Sequence, residues 1–123
     1  MRFPGVGPVE GYEAEHTVKG AEHLELACLD IHIYFTPGHS PGSMSVAVET
    51  ADGPYVIAGD AVMTYDNLRG DPAKRQKFLP IGRYTDIFQV FDSLELILSR
   101  AGGVIEHVLP GHDATIVGQQ WPR

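Results

Sequence analysis

Only one stretch of this chain repeats its apolar residues at helical spacing; every other apolar run is short and is closed by proline or glycine. From Tyr84 to Arg100, residues Ile87, Val90, Phe91, Leu94, Ile97 and Leu98 recur three and four apart, which predicts one amphipathic helix with a single buried stripe. Thr85 or Asp86 suits its N-cap, and Gly102-Gly103 suits its end. Upstream, Leu24, Leu26 and Cys28, then Ile31, Ile33 and Phe35, alternate with a break near Leu29-Asp30. That pattern predicts two short strands or one bulged strand. Strands on one side of a lone helix predict an α/β fold, a mixed sheet with one main helix against one face.

The turns fix the rest of the order. Two prolines and two glycines in Thr36-Pro37-Gly38-His39-Ser40-Pro41-Gly42 exclude both helix and ladder, so this is a tight turn. Met44, Val46 and Val48 then share one face of a strand, and Ala51-Asp52-Gly53-Pro54 has hairpin chemistry. Tyr55-Val56-Ile57-Ala58 is nearly continuously apolar, as in a strand buried on both faces. Residues 66 to 83 read as a long polar connection, and Val104 to Leu109 as a last strand interrupted by Glu106 and His107. Residues 1–20 lack any sustained period and read as an irregular arm, leaving 21–123 as the folded part.

Charge and cysteine content narrow the function classes. Nine Lys and Arg against sixteen Asp and Glu leave a net charge of −7, which repels phosphate backbones and excludes nucleic acid as the expected partner. The basic residues that do gather, Lys74, Arg75, Lys77 and Arg83, fit a solvated face. The single Cys28, beside Leu26, Ala27 and Leu29, reads as a buried thiol in a reducing compartment. No apolar run approaches the ~20 residues of a bilayer span, and the N-terminus has no secretory h-region. A cytoplasmic protein without membrane contact is the expectation.

Three polar residues stand where chemistry is expected. His39, Asp60 and His112 each fall at or just beyond the end of an apolar strand, and each follows a glycine. Strand ends of one sheet can converge on one edge, and a preceding glycine lets the backbone turn sharply there. Two imidazoles and a carboxylate suit Zn²⁺, Fe²⁺ or Mn²⁺. Ordinary turn residues remain the alternative on spacing alone.

The wording of these motifs adds to that reading. Thr36-Pro-Gly-His39-Ser-Pro-Gly42, Ile57-Ala-Gly-Asp60 and Leu109-Pro-Gly-His112-Asp113, in that order, resemble the metallo-β-lactamase superfamily and most of all its N-acyl homoserine lactonase-like members. The resemblance runs from about Leu24 to Asp113 and implies the C-terminal half of an αβ/βα sandwich. It implies zinc or another divalent transition metal, with the position of His39 on one ion, that of His112 on a second, and that of Asp60 between them. Such a centre hydrolyses a lactone or ester with a metal-activated water. It also implies that a tyrosine beyond the aspartate assists at the oxyanion; Tyr65 is the candidate, with a packed or rim tyrosine as the alternative.

The family's His-x-His-x-Asp-His motif, which supplies four further ligands, is absent: the histidines fall at 16, 23, 32, 39, 107 and 112. His16 and His23 lie in or beside the lead-in, where either could fold back toward the site. His32 points away from its neighbours Ile31 and Ile33, and His107 lies on the pleat side opposite His112. The chain therefore reads as part of a longer enzyme, as a half-protein completed by another chain, or as a relative that keeps a non-catalytic dimerising or binding role. A single metal on His39, Asp60 and His112 is a further possibility. Half a sandwich leaves one apolar sheet face bare, so a homodimer or a complementary chain is the expected partner.

Overall fold

The structure is a computed structural model that describes residues 20–122 apart from Ala27. The expected arm lies outside these residues except for Gly20, as does His16. Strands β1 (Glu22–Leu26), β2 (Leu29–Phe35), β3 (Met44–Thr50) and β4 (Gly53–Gly59) form an antiparallel meander, and β5 (Val108–Pro110) pairs parallel with β4. The break at Leu29-Asp30 is a hairpin, because Leu26 pairs with Leu29. Cys28 therefore stands in the turn, exposed, at a left-handed φ of 69°. The expected buried thiol is corrected: a turn position offers no core side.

The pleat sorts the side chains into two faces. His32, Ala47, Val56 and Val108 form one cross-strand row, and Tyr34 and Ser45 pair beside it. Helix α2 (Ile87–Arg100) covers this face with Val90, Leu94 and Ile97, and the connection adds Val62, Leu68 and Phe78. Each fully buried aliphatic side chain of this kind contributes ~1.5–3 kcal/mol. The other face carries Ile31, Ile33 and Phe35 opposite Val48, Val46 and Met44, with Ile57 opposite Val46. Nothing among the described residues covers that face fully: Phe35 is 37%, Met44 43% and Ile57 49% exposed. The strand expected to be buried on both faces is buried on one, at Val56 and Ala58, and only in part on the other, where Tyr55 is buried and Ile57 exposed.

Other elements differ from expectation in detail. Asp86, not Thr85, caps α2, accepting from the N–H groups of Phe88 and Gln89. Phe91 leaves the predicted stripe half-exposed, whereas Ser93 is buried. The 66–83 connection is not merely polar: it holds the short helix α1 (Asp66–Arg69) and buries Asn67, Leu68 and Phe78. Ile105–His107 forms a 3-10 turn, so the final strand has only three residues. His107 stacks on Tyr55 at 4.1 Å between ring centroids, which buries that tyrosine on the outer face.

Candidate metal centre

The sequence around His39 brings a turn against a helix. Thr36 donates its N–H to the Ser43 carbonyl, and the buried Thr36 and Ser45 hydroxyls bond at 2.8 Å beneath it. Gly38 carries φ +130° and lies against the start of α2, where a β-carbon would stand 2.5 Å from the Val90 nitrogen. The Gly38 carbonyl accepts from the N–H groups of Thr85 and Asp86 at 2.6 and 3.1 Å. Ser93 Oγ, from the next turn of α2, donates to the Pro37 carbonyl at 2.6 Å. The glycine is therefore required by close approach and by its dihedral angle together.

Asp60 follows Gly59, whose φ of +54° turns the chain out of β4. The segment after it is clamped to the end of β5: Gly111 and His112 donate their N–H groups to the Val62 and Met63 carbonyls, both at 2.9 Å. Gly111 has no room for a side chain, since a β-carbon would lie 2.7 Å from the Gly59 carbonyl oxygen. Asn67 organises the same loop, accepting from the Met63 and Thr64 N–H groups and donating to the Leu79 carbonyl at 2.8 Å. Asp113 joins both segments by accepting from the Tyr65 N–H and from Thr115. The Thr115 hydroxyl, the Tyr65 N–H, the Thr115 N–H and the Arg69 charge hold its carboxyl below the ordinary aspartate value.

These loops bring His39, Asp60 and His112 together. Asp60 stands between the imidazoles, with Oδ2 3.3 Å from His39 Nε2 and Oδ1 2.9 Å from His112 Nε2. His39 Nδ1 is 2.6 Å from the Arg83 carbonyl oxygen, which can only accept, so Nδ1 carries a hydrogen. In the neutral ring Nε2 is then a bare lone pair facing a carboxylate oxygen. Only a proton or a cation between them makes that arrangement favourable, so the donor set fits a divalent metal. A pocket of about 790 Å³ opens beside His39 and Asp60, with Met44, Ala58 and Ala61 as apolar lining and Ser40, Arg83 and Tyr84 as polar lining.

The other candidates go elsewhere. Tyr65 is buried, 4% exposed, with the Arg69 guanidinium 5.2 Å from its ring centroid, and it does not line this pocket. His23 and His32 meet each other on β1 and β2, and His107 bonds to the Pro54 carbonyl. Lys77 pairs with Glu95 at the surface. Sequence reasoning missed Arg83, Asn67, Ser93 and Asp113, which orient the site through backbone partners. Of these only Asp113 had a signal, its place directly after His112.

The family model for the metallo-beta-lactamase superfamily matches residues 4–112. A probable metallo-hydrolase, YqgX of Bacillus subtilis (strain 168), is 40% identical over 63 residues, covering 47% of this chain and 29% of that protein. An N-acyl homoserine lactone hydrolase, solved with N-hexanoyl-L-homoserine at its catalytic metal centre, superposes with a TM-score of 0.59 at 21% identity, over 86% of this chain and 39% of that one. A quorum-quenching N-acyl homoserine lactone lactonase gives 0.60 at 20% identity, over 86% and 41%. The chain thus spans less than half the length of each of these relatives. Among the described residues, no helix is long and apolar enough to cross a membrane.

Proposed function

Because the chain belongs to the metallo-β-lactamase superfamily, we propose that it supplies part of the catalytic centre of a metal-dependent hydrolase acting on a lactone or ester. The observation that carries this reading is the Asp60 carboxylate between two imidazole Nε2 atoms, one of them fixed in orientation by the Arg83 carbonyl. His39, Asp60 and His112 would be the metal ligands this chain contributes, with zinc the first candidate; their ligand atoms do not all lie within 4.8 Å of one another, so the three would not converge on a single ion. Such an ion, when bound, supplies Lewis acidity toward a carbonyl oxygen and toward a water, whose pKa it lowers to ~7. The protein's own groups set the positions. The Gly38 turn and the Arg83 carbonyl hold the His39 ring, the Gly111 contact holds His112 against Asp60, and the apolar pocket wall excludes water from one side of the substrate. The lactone substrates of proteins with this fold make an N-acyl homoserine lactone the first compound to test.

A non-catalytic binding module is the second reading, favoured by the absent His-x-His-x-Asp-His motif and by the open position of His112, whose side chain is 61% exposed. Under either reading the apolar face left exposed among the described residues supports a covering partner, a second copy or a complementary chain. A cytoplasmic setting belongs to the proposal and rests on the lone cysteine, which suits a reducing compartment. The deciding experiment is zinc reconstitution after chelation, read by metal analysis and by lactone hydrolysis. Hydrolysis lost at least a hundredfold in His39→Ala supports the enzyme; zinc uptake unchanged in His39→Ala and His112→Ala refutes the centre. In the same assay, full activity in Tyr65→Phe would assign Tyr65 to packing.

A further inference from the structure

The hairpin β1–β2 carries a second set of metal-binding side chains, outside the site just described. His23 and His32 are direct cross-strand partners, and Asp30 precedes His32 by two residues, so all three share one face of the sheet. Both imidazoles address the same carboxylate oxygen: His23 Nε2 bonds to Asp30 Oδ1, and His32 Nε2 stands 3.5 Å from it. One ligand atom from each residue lies within 4.8 Å of the other two, and this is the only such group of three among the described residues. The cluster is also held from behind. The rings of His23 and His32 stack at 4.5 Å, Tyr34 stacks beyond His32 at 6.3 Å, and the Arg100 guanidinium of α2 covers Tyr34 at 4.8 Å.

We propose that His23, Asp30 and His32 form a second site for a divalent transition metal, which clips the edge strand β1 to β2. Two nitrogens and one carboxylate oxygen favour zinc, nickel or copper, whereas magnesium and calcium prefer sets made of oxygen. The backbone ladder already holds the two imidazole-bearing residues opposite one another, so little ordering remains to be done on binding. The stacked rings direct their in-plane lone pairs side by side, so each ring must tilt out of the stack for both nitrogens to meet one ion. The half-exposed side chains leave room for water to complete the coordination. Asp30 stands near the start of β2 and His39 beyond its end, so the two sets of ligands act separately. Among the described residues β1 is the outer strand, with β2 as its one neighbour, which makes it the element that gains most from a cross-link.

The test uses the untagged chain bearing His39→Ala and His112→Ala, titrated with zinc chloride and read by native mass spectrometry and thermal unfolding. One zinc per chain, with a raised Tm, is expected. Adding His32→Ala, or the near-isosteric Asp30→Asn, should weaken uptake at least tenfold and abolish the Tm shift while the circular dichroism spectrum stays unchanged. The proposal is overturned if the background chain takes up no zinc, if uptake survives both added substitutions, or if one zinc is shared by two chains. If only the His39 centre is wrong, the wild-type chain still takes up one zinc, kept in His39→Ala and lost on His32→Ala, so the two readings are separable.

Discussion

A β-carbon added at position 38 has nowhere to go, because the obstruction is the backbone of α2 and not a flexible side chain. Gly38→Ala should therefore cost at least about 2 kcal/mol in chemical denaturation, combining a left-handed φ with a steric clash, and should displace His39 from Asp60. Unchanged stability would mean that the turn does not pack on the helix as described. The site was legible in the sequence at this scale through its glycines: Gly38, Gly59 and Gly111 each precede a chemical residue, and each has its own geometric reason. The orienting partners were not legible. The Arg83 carbonyl that fixes the His39 ring is a main-chain group, which every residue has, and nothing in residue type marks it. Asn67 looked like a loop residue because a buried amide that satisfies loop N–H groups has no period.

Among the elements, strands and the main helix followed their periods, and departures came where periodicity is weakest. Ile105–His107 became a 3-10 turn because His107 stacks on Tyr55 and bonds to Pro54, contacts that no local pattern encodes. The 66–83 connection gained α1 because its apolar residues, Leu68 and Phe78, stand too far apart to show a repeat. Asp113 ties the loop after β4 to the loop after β5 by accepting from Tyr65 and Thr115. Its folded-state pKa is lowered, so its stabilisation is fully present above the unfolded value of about 3.9 and is lost as pH falls through the lower folded value. Asp113→Ala should cost about 1–2 kcal/mol at pH 7, and the difference from wild type should shrink below about pH 4. Urea titrations at pH 7 and pH 3 check this; an equal deficit at both would remove the charged clamp from the account.

At the scale of the whole molecule, the sheet has one face packed under α2 and one that no described residue covers fully. The alternation of Met44, Val46 and Val48 already required a cover in the sequence, but its identity lies with atoms that these strands do not contain. If a second copy supplies the cover, Ile57→Lys, at the centre of the bare face, should convert a micromolar dimer into a monomer in sedimentation velocity. A wild-type chain that sediments as a monomer would exclude that cover. The parallel pairing of β4 with β5 has a different consequence, for the order of folding. The meander that presents His39 and Asp60 forms from neighbours in sequence, whereas Val56 meets Val108 only after the whole crossover has closed. Loop-closure entropy must be met before that contact gives any return, so strand pairing of this kind is slow. His112, just beyond the last strand to dock, is therefore expected to join His39 and Asp60 last.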